Sequence, residues 1–388
     1  MTAATGEILD LTEEQREIRA LCREFAKREL RTASRRVDEA DVEMPWDVWR
    51  KAAEIGITTY MLPEEVGGGG TTDVLTQCLV QEELCWGCSG LGNLIGSHGF
   101  FAEPLLELGT EGQRRRWLEP MCADPEILGA VASTEPGVGS DAASMATTAT
   151  RVDDGYRLRG QKTWVSNGGV ATYYVVFATV DPGSRHRGIT AFVVEKGDEG
   201  VSFGQPMRKM GQRAIVNSEL FLEDAILPED RRLGNEGQGF YGLMRTFDRS
   251  RVILGAAATG LARAATEYAT DYAKERVQFG KPIAEHQAVA FRLADMALKV
   301  EASRLLVWNA ARKMDAGEPA PLEAAMAKLH ASEAAMFCTW AAVQTLGGWG
   351  YSREYLPEKW MRDAKLEEIE EGTSDIQRLI ISRQLLRS

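Results

Sequence analysis

Apolar residues recur at helical spacing along the first third of the chain. Ile18, Leu21, Cys22 and Phe25 follow Thr12-Glu13-Glu14-Gln15, a capping box that predicts an amphipathic helix. A second helix is predicted from about Pro45, with proline at its first position, to Ile55, stopped by Gly56. The spacing resumes over residues 72–88 and about 91–108, and a second capping box, Thr110 to Gln113, opens another helix. After Asp124-Pro125 the period shortens. Ile127 to Ser133, Tyr156 and Leu158, 173–180, 189–194 and 215–222 are runs rich in β-branched and aromatic residues, separated by the turn signals Asp153-Asp154-Gly155, Asp181-Pro182-Gly183 and Lys196-Gly197-Asp198. Consecutive strands without helices between them predict an antiparallel sheet or small barrel rather than a parallel doubly wound sheet. From Gly239 the helical period returns over 240–274, 284–313 and 322–346, each long enough for an antiparallel bundle. The fold class read from this order is α+β in three domains: an all-α domain over 1–126, a central antiparallel β-domain forming a small barrel over 127–236, and a C-terminal antiparallel four-helix bundle over 237–388.

Composition narrows the function classes. A chain of 388 residues with 44% hydrophobic and 26% charged residues has the balance of a folded globular protein. Its net charge of −12 gives no general attraction for nucleic acid or an anionic membrane, so neither is expected as a partner. Met1 to Glu7 lacks a basic segment leading into an apolar run, and no later stretch approaches eighteen uncharged apolar residues, so a cytoplasmic location is expected. Six cysteines in so long a chain point to reduced thiols. Cys85-Trp86-Gly87-Cys88 imitates a redox motif but follows a helical pattern rather than a strand, which favours a structural role. Four scattered histidines supply no metal-ligand spacing, and no metal is expected. Gly67 to Gly70 has neither the lysine nor the preceding strand of a phosphate loop and reads as a flexible connector.

Candidate chemistry lies in five stretches. Glu371-Gly372-Thr373 breaks a helix, and Ile376, Leu379 and Ile380 follow at helical spacing. A carboxylate on such a break can be aimed over a buried cavity, where desolvation makes it a usable base; the alternative is a solvated acidic helix end. Thr134-Glu135-Pro136-Gly137-Val138-Gly139-Ser140-Asp141 leaves a strand and brings backbone N–H groups and hydroxyls close to an anion or ring edge, or forms a plain turn. Trp164 and Ser166 share one side of a strand and suit a flat heteroaromatic cofactor such as flavin, although tryptophan more commonly fills a core. Arg276 could hold a pyrophosphate or simply end a basic helix. Gln344 to Tyr351, with three glycines, offers either close backbone approach or a helix-ending turn.

Taken jointly, Thr134-Glu135-Pro136 with Gly139-Ser140-Asp141, Trp164-Val165-Ser166-Asn167, Asp248-x-x-Arg251, Glu275-Arg276 with Phe279-Gly280-Lys281, Gly347-Gly348-x-Gly350-Tyr351, and Arg362-Asp363-Ala364-Lys365 leading to Glu371-Gly372-Thr373 make the chain resemble the acyl-CoA dehydrogenase family over essentially its whole length. The resemblance implies FAD-dependent removal of two hydrogens from an acyl-CoA to give the trans-2-enoyl-CoA, with electrons passed to an electron-transfer flavoprotein or similar acceptor. Glu371 is implied as base, its backbone N–H helping to bind the thioester carbonyl. Val131, Ser133, Thr134, Gly139, Ser140, Trp164 and Ser166 are implied around the flavin, with Thr373 and Asp375 also contacting FAD. Arg276, Gln278, Phe279, His286, Gln287, Gln344, Gly347 and Gly348 are implied to grip the adenine half bound by the neighbouring subunit, which makes the protein a homo-oligomer, a dimer of dimers. Ser140, Asp248, Arg251 and Gly372 are implied in substrate binding, and Gly92 and Gly96 in the acyl-chain wall. There the two glycines would leave room for a long or bulky acyl group, unless a neighbouring helix fills the space. Two alternatives remain open: the same reaction on an acyl group tethered to a carrier protein, and a flavin-binding protein of this fold without dehydrogenase activity. Glu370 stands where many members have tyrosine, and Asp375 is shorter than the usual residue. Ser250, at a position where some members keep their base, cannot serve as one.

Overall fold

The computed structural model describes residues 11–386; the segment before Leu11, on which part of the cytoplasmic expectation rested, lies outside them. Helices come first: α1 Glu13–Phe25, α2 Arg31–Ala40, α3 Trp46–Glu54, α4 Val74–Gly87, α5 Ser89–Ile95, α6 Ser97–Leu108 and α7 Glu111–Ala123. Both predicted capping boxes form, with Thr12 and Thr110 each accepting from the backbone of the glutamine three residues on. Pro45 caps α3 from outside instead of occupying its first turn. The helix predicted over 91–108 divides at Gly96, where α5 ends and α6 begins.

Eight strands follow: β1 Gly129–Ala132, β2 Thr148–Val152, β3 Gly155–Ser166, β4 Tyr173–Thr179, β5 Ile189–Glu195, β6 Val201–Phe203, β7 Asn217–Pro228 and β8 Arg232–Leu233. They form one sheet in the order β6-β7-β3-β2-β4-β5-β8, with β1 added in parallel along Tyr173 to Val176 of β4. The expected small barrel is corrected. The end strands β6 and β8 pair only with β7 and β5, so the sheet stays open. Pairing is otherwise antiparallel, apart from a single parallel contact between Thr148 of β2 and Thr179 of β4. The strand predicted over 215–222 starts two residues later, because Ile215 and Val216 belong to the turn that carries Gln212.

The remaining helices are α8 Gly239–Glu275, α9 Gln287–Asp315, α10 Pro321–Leu346, α11 Gly348–Tyr351, α12 Pro357–Glu367 and α13 Ser374–Leu386, with a hairpin of β9 Val277–Gln278 and β10 Lys281–Pro282 after α8. α10 packs on α8, α9, α12 and α13, and α8 also packs along α4, so the two helical regions share a face. No helix among the described residues is long and apolar enough to cross a membrane.

Two features bear on the site. Gly67 to Gly70 is no flexible connector: a Cβ on Gly68 would lie 2.2 Å from the Leu62 carbonyl oxygen and one on Gly69 2.8 Å from Tyr60 Cα. Backbone bonds from Gly69 to Thr59 and from Thr71 to Tyr60 close the turn and hold Tyr60 in place. The second feature is charge buried between helices. Glu82 and Glu83 of α4 are 3% and 0% exposed; Arg263 of α8 reaches Glu82 at 2.8 Å and Glu83 at 2.5 Å, Arg304 of α9 meets Glu82 at 2.8 Å, and Arg19 of α1 meets Glu83 at 2.9 Å. Burial pushes the Glu82 carboxyl up, and Arg304 and Arg263 more than offset it, bringing it from 4.5 to about 2. Because the folded value lies below the unfolded one, this stability is present above about pH 4.5 and is lost as pH falls toward 2. Removing one partner of a buried pair costs about 3–5 kcal/mol. Arg263→Met is therefore expected to lower stability by that order in urea denaturation at pH 7. An unchanged midpoint would mean that the cluster does not hold α4 to α8.

Candidate active site

Glu371 lies in the break between α12 and α13 with φ 53°, followed by Gly372 at φ 91°. For a non-glycine residue this left-handed conformation is unfavourable and persists only where the surroundings impose it. Here three buried donors do so. Arg251 Nε donates to the Glu371 carbonyl at 3.1 Å, Gln377 Nε2 to the Glu371 and Gly372 carbonyls at 3.2 and 2.8 Å, and Lys328 Nζ to the Gly372 carbonyl at 2.9 Å. The Glu371 backbone N–H makes no hydrogen bond among the described residues. Its carboxylate accepts a 2.7 Å bond from Ser250 Oγ on α8. Burial raises the Glu371 pKa, and Ser250, Arg251 and Lys328 pull against that rise. Glu370 differs: burial, reinforced by Glu367, pushes it well above the usual carboxylate range, and its Oε1 is enclosed without a partner. The neutral form of Glu370 is thus favoured, and the hydroxyl-bonded carboxylate of the pair is Glu371.

Ser250 also lines a cleft of about 420 Å³, counting its open mouth. Three helix faces build it by spacing alone: Gln77 and Gln81 on α4, Gly99, Phe100 and Glu103 on α6, and Thr246, Arg249, Ser250 and Ile253 on α8. Gly96 at the α5–α6 joint and Tyr60 and Met61 complete it. The room expected from the Gly92–Gly96 stripe is largely taken up by α4. A Cβ on Gly92 would sit 2.6 Å from Cys85 Sγ, and Gly92 does not reach the cleft; a Cβ on Gly96 would sit 2.8 Å from Gln81 Oε1. A chain of side-chain bonds links this wall to the base segment: Gln81 Nε2 to Asn93 Oδ1 at 2.7 Å, Asn93 Nδ2 to Gln212 Oε1 at 2.9 Å, and Gln212 Nε2 to Glu367 Oε1 at 2.8 Å.

The sheet supplies the other side. β3 ends with Trp164 58% exposed at φ 56° in a bulge between Lys162 and Val165, then Val165 buried and Ser166 exposed, so the indole and hydroxyl are both open through the bulge and not through the plain alternation expected from the sequence. Trp49, Trp117 and Trp360 are fully buried, whereas Trp164, like Trp340 and Trp349 at 46% and 47%, leaves much of its indole exposed. Asn217 Nδ2 bonds the Trp164 carbonyl and Ser166 Oγ, at 3.2 and 3.3 Å, and Asn167 Nδ2 bonds Ser97 Oγ at 3.1 Å, which anchors this strand end at the α5–α6 joint. The loop from Ser133 to Thr147 is tied to the strand by Lys162, whose Nζ reaches Glu135 at 2.8 Å and the Ser133 carbonyl at 3.2 Å, while Glu135 accepts from the Ala146 and Thr147 amides. Thr163 N bonds the Thr134 carbonyl, and a Cβ on Gly139 would meet nothing within 4 Å. Val131, Ser133 and Thr134 are half-buried and Ser140 is exposed. An exposed aromatic face, a hydroxyl beside it and an open glycine backbone fit a flat ring cofactor with a polar tail.

The second candidate group stands on the C-terminal helices. Arg276, Gln278 and Phe279 lie on or beside the hairpin after α8; Phe279 is 95% exposed at φ 53°, and its ring packs edge-on to His286. Gln287 opens α9, Gln344 lies in the last turn of α10, and added Cβ atoms on Gly347 and Gly348 would meet nothing within 4 Å. Thr373 caps the first turn of α13 through its hydroxyl, and Asp375 is exposed on that turn. Asp248 and Arg251, expected in substrate binding, are engaged with one another at 2.7 Å, and Arg251 is spent on the base segment. Sequence reasoning dismissed Ser250 as unable to act as base and missed its donor role, together with Lys328, Gln377 and the cleft face of α8; the spacing of Thr246, Ser250 and Ile253 was the available signal. Cys85 and Cys88 are free thiols, with Cys85 buried and its pKa driven well up by burial.

A buried carboxylate at a held-open helix break, bonded to a serine that lines a cleft between three helices, together with an exposed indole and hydroxyl at the end of β3, is a set of groups suited to proton removal beside a flat ring cofactor. Family models for the N-terminal, middle and C-terminal domains of acyl-CoA dehydrogenase match residues 12–124, 130–225 and 237–386. An acyl-CoA dehydrogenase of Bacillus subtilis is 41% identical over 97% of this chain and 99% of its own. The structure of butyryl-CoA dehydrogenase from Megasphaera elsdenii superposes with TM-score 0.93 at 39% identity, covering 98% of this chain and 100% of that one. A chain in a structure described as the electron transferring flavoprotein of Acidaminococcus fermentans gives TM-score 0.93 at 40% identity, over 98% and 100%. The chain belongs to the acyl-CoA dehydrogenase family. Its cofactor is FAD, and its reaction is the α,β-dehydrogenation of an acyl-CoA thioester.

Loss of a donor to a carboxylate raises that carboxylate's pKa. Ser250→Ala is therefore expected to move the acid limb of flavin reduction by acyl-CoA to higher pH, by about one unit, while the rate on the high-pH plateau stays near wild type. An unmoved limb would show that the 2.7 Å bond does not set the ionisation of Glu371.

Proposed function

We propose that Glu371 removes the α-proton of a short acyl-CoA. The observation that carries this is its position: it is the carboxylate bonded to a hydroxyl that lines the cleft. A thioester α-proton is a very weak acid, so the base must be partly desolvated and the developing enolate oxygen must meet a donor. Burial supplies the first condition, and the unpaired Glu371 N–H supplies the second, beside a carbonyl already committed to Arg251 and Gln377. FAD, when bound, would supply the acceptor for the hydride that leaves the β-carbon. Trp164, Ser166, Thr134 and Ser140 would hold it from one subunit, and the exposed group around Arg276, Phe279, Gly347 and Gly348 would hold it from a neighbour. This reading makes the functional unit a homo-oligomer, a dimer of dimers, located in the cytoplasm and passing electrons to an electron-transfer flavoprotein. A short acyl group is favoured by the filling of the Gly92–Gly96 stripe by Cys85 and Gln81 and by similarity to a butyryl-CoA dehydrogenase.

Anaerobic mixing of the holoenzyme with acyl-CoAs tests the reading through the flavin absorbance. Glu371→Gln is expected to retain FAD and to lose at least 100-fold in reductive rate, within the roughly 10²–10⁴-fold range of such proton transfers. Glu370→Gln is expected to be milder. A Glu371→Gln variant that keeps more than about a hundredth of the rate would remove Glu371 as sole base. For the shared cofactor site, Phe279→Ala is expected to lower the FAD retained per chain after gel filtration without changing the thermal midpoint of the apoprotein; full retention would place the adenine elsewhere.

A further inference from the structure

Two hydrogen bonds behind the Ser166 hydroxyl, at the end of β3, stands a half-buried cation. Lys209 lies in the connection between β6 and β7, and an ammonium group has three hydrogens to place and no lone pair. It places them on the Gln212 carbonyl at 3.1 Å, on the Ile215 carbonyl, and on Asn217 Oδ1 at 2.5 Å. Burial pulls the Lys209 pKa down from 10.5 to about 8, while Glu370, Asp363 and Asp41 pull against that fall, so the charged form prevails at neutral pH. With Oδ1 held by a pure donor, the orientation of the Asn217 amide is settled. Its Nδ2 faces the Trp164 carbonyl in the bulge and Ser166 Oγ, at 3.2 and 3.3 Å. An amide nitrogen cannot accept, so Ser166 takes this bond on a lone pair, and its own hydrogen points away from Asn217. The connection is also fixed from both sides: Gln212 N donates to Asp363 Oδ1 of α12 at 2.6 Å, and Asn167 N to the Val216 carbonyl at 2.6 Å.

Resting on the placement of Ser166 beside FAD in the reading above, we propose that Lys209 is a positioning residue for the flavin: acting through Asn217, it fixes Ser166 as a hydrogen-bond donor toward the ring and thereby raises the flavin's reduction potential. Each link is polarised by the one before it, cation to amide to hydroxyl, so the charge of Lys209 is felt at the Ser166 hydrogen. Reduction makes the ring electron-rich, and a polarised donor favours that form over the oxidised one. An uncharged side chain at position 209 would let the Asn217 amide turn over, and Ser166 could then donate back to Oδ1 instead of outward. A lysine that only closed the connection between β6 and β7 would contribute stability and leave the potential alone.

The test reads the midpoint potential of the FAD-loaded enzyme by spectroelectrochemistry, and the FAD Kd by titration of the apoprotein, in Lys209→Met, Asn217→Leu, Ser166→Ala and the double variant Lys209→Met with Ser166→Ala. The expected result is a fall of about tenfold in the reduced-to-oxidised ratio at a fixed applied potential, or ~30 mV for a two-electron couple, in Lys209→Met and in Asn217→Leu. Once Ser166 is alanine, Lys209→Met is expected to cause no further fall. Asn217→Leu keeps the cation and breaks only the link, so it reads the proposal even where Lys209→Met does not fold. Wild-type potential in either folded variant, or a Lys209→Met shift of the same size with and without the Ser166 hydroxyl, would overturn the proposal and leave Lys209 as a tie within its turn. Ser166→Ala with unchanged potential and unchanged FAD Kd would contradict the placement of Ser166 beside the flavin, and the proposal with it.

Discussion

The active centre depends on a backbone conformation that the chain would not adopt by itself. Glu371 is held at φ 53° by carbonyl contacts from Arg251, Gln377 and Lys328, each belonging to a different helix. Left-handed geometry at a non-glycine residue costs on the order of 1–3 kcal/mol, and three buried donors, two of them charged, suffice to offset it. Gly372 takes the next left-handed position at φ 91°, so the helix stops abruptly and the carboxylate leaves the α12 axis toward α8. The same arrangement leaves the Glu371 N–H unpaired among the described residues while its carbonyl is occupied. In the proposed function, base and carbonyl-binding donor would thus come from one residue because that residue's backbone is turned.

The buried carboxylates of the molecule are partnered in different ways. Glu82 and Glu83 are matched by arginines and serve to lock α4 against α1, α8 and α9. Glu367 receives bonds from Ser89 and Gln212, yet burial still lifts it to about 7. Burial and Glu367 also push Glu370 well above the usual carboxylate range, and its Oε1 has no partner among the described residues. Among the described residues of this group, Glu371 is the one bonded to a hydroxyl that lines the cleft.

Much of this was legible in the sequence, at the level where local chemistry decides. The two capping boxes, the change of period after Asp124 and the Glu371-Gly372 break are all nearest-neighbour signals, and each survives in the structure; Trp164 and Ser166 are both exposed, but through a bulge that the alternation did not show. What was not legible depends on elements distant in sequence. Whether the sheet closes depends on β6 and β8, three and two residues long, which carry almost no pattern of their own. Gly92 reads as a vacancy until Cys85 is found against it, and Gly67 to Gly70 read as slack until Leu62 and Tyr60 fill the space around them. Ser250 was judged by what it cannot do as a base, since nothing local indicates that its hydroxyl faces a carboxylate 121 positions away.

The central claim, that Glu371 alone abstracts the α-proton, is tested most directly by isotope exchange uncoupled from oxidation. A 3-thia-acyl-CoA has sulfur at the β-position and no hydride to give, so incubation with the holoenzyme in deuterium oxide reads proton abstraction by itself. Wild type is predicted to exchange an α-proton for deuterium, and Glu371→Gln to bind the analogue without exchanging it. Exchange by Glu371→Gln at the wild-type rate would contradict the account and assign the base to another residue.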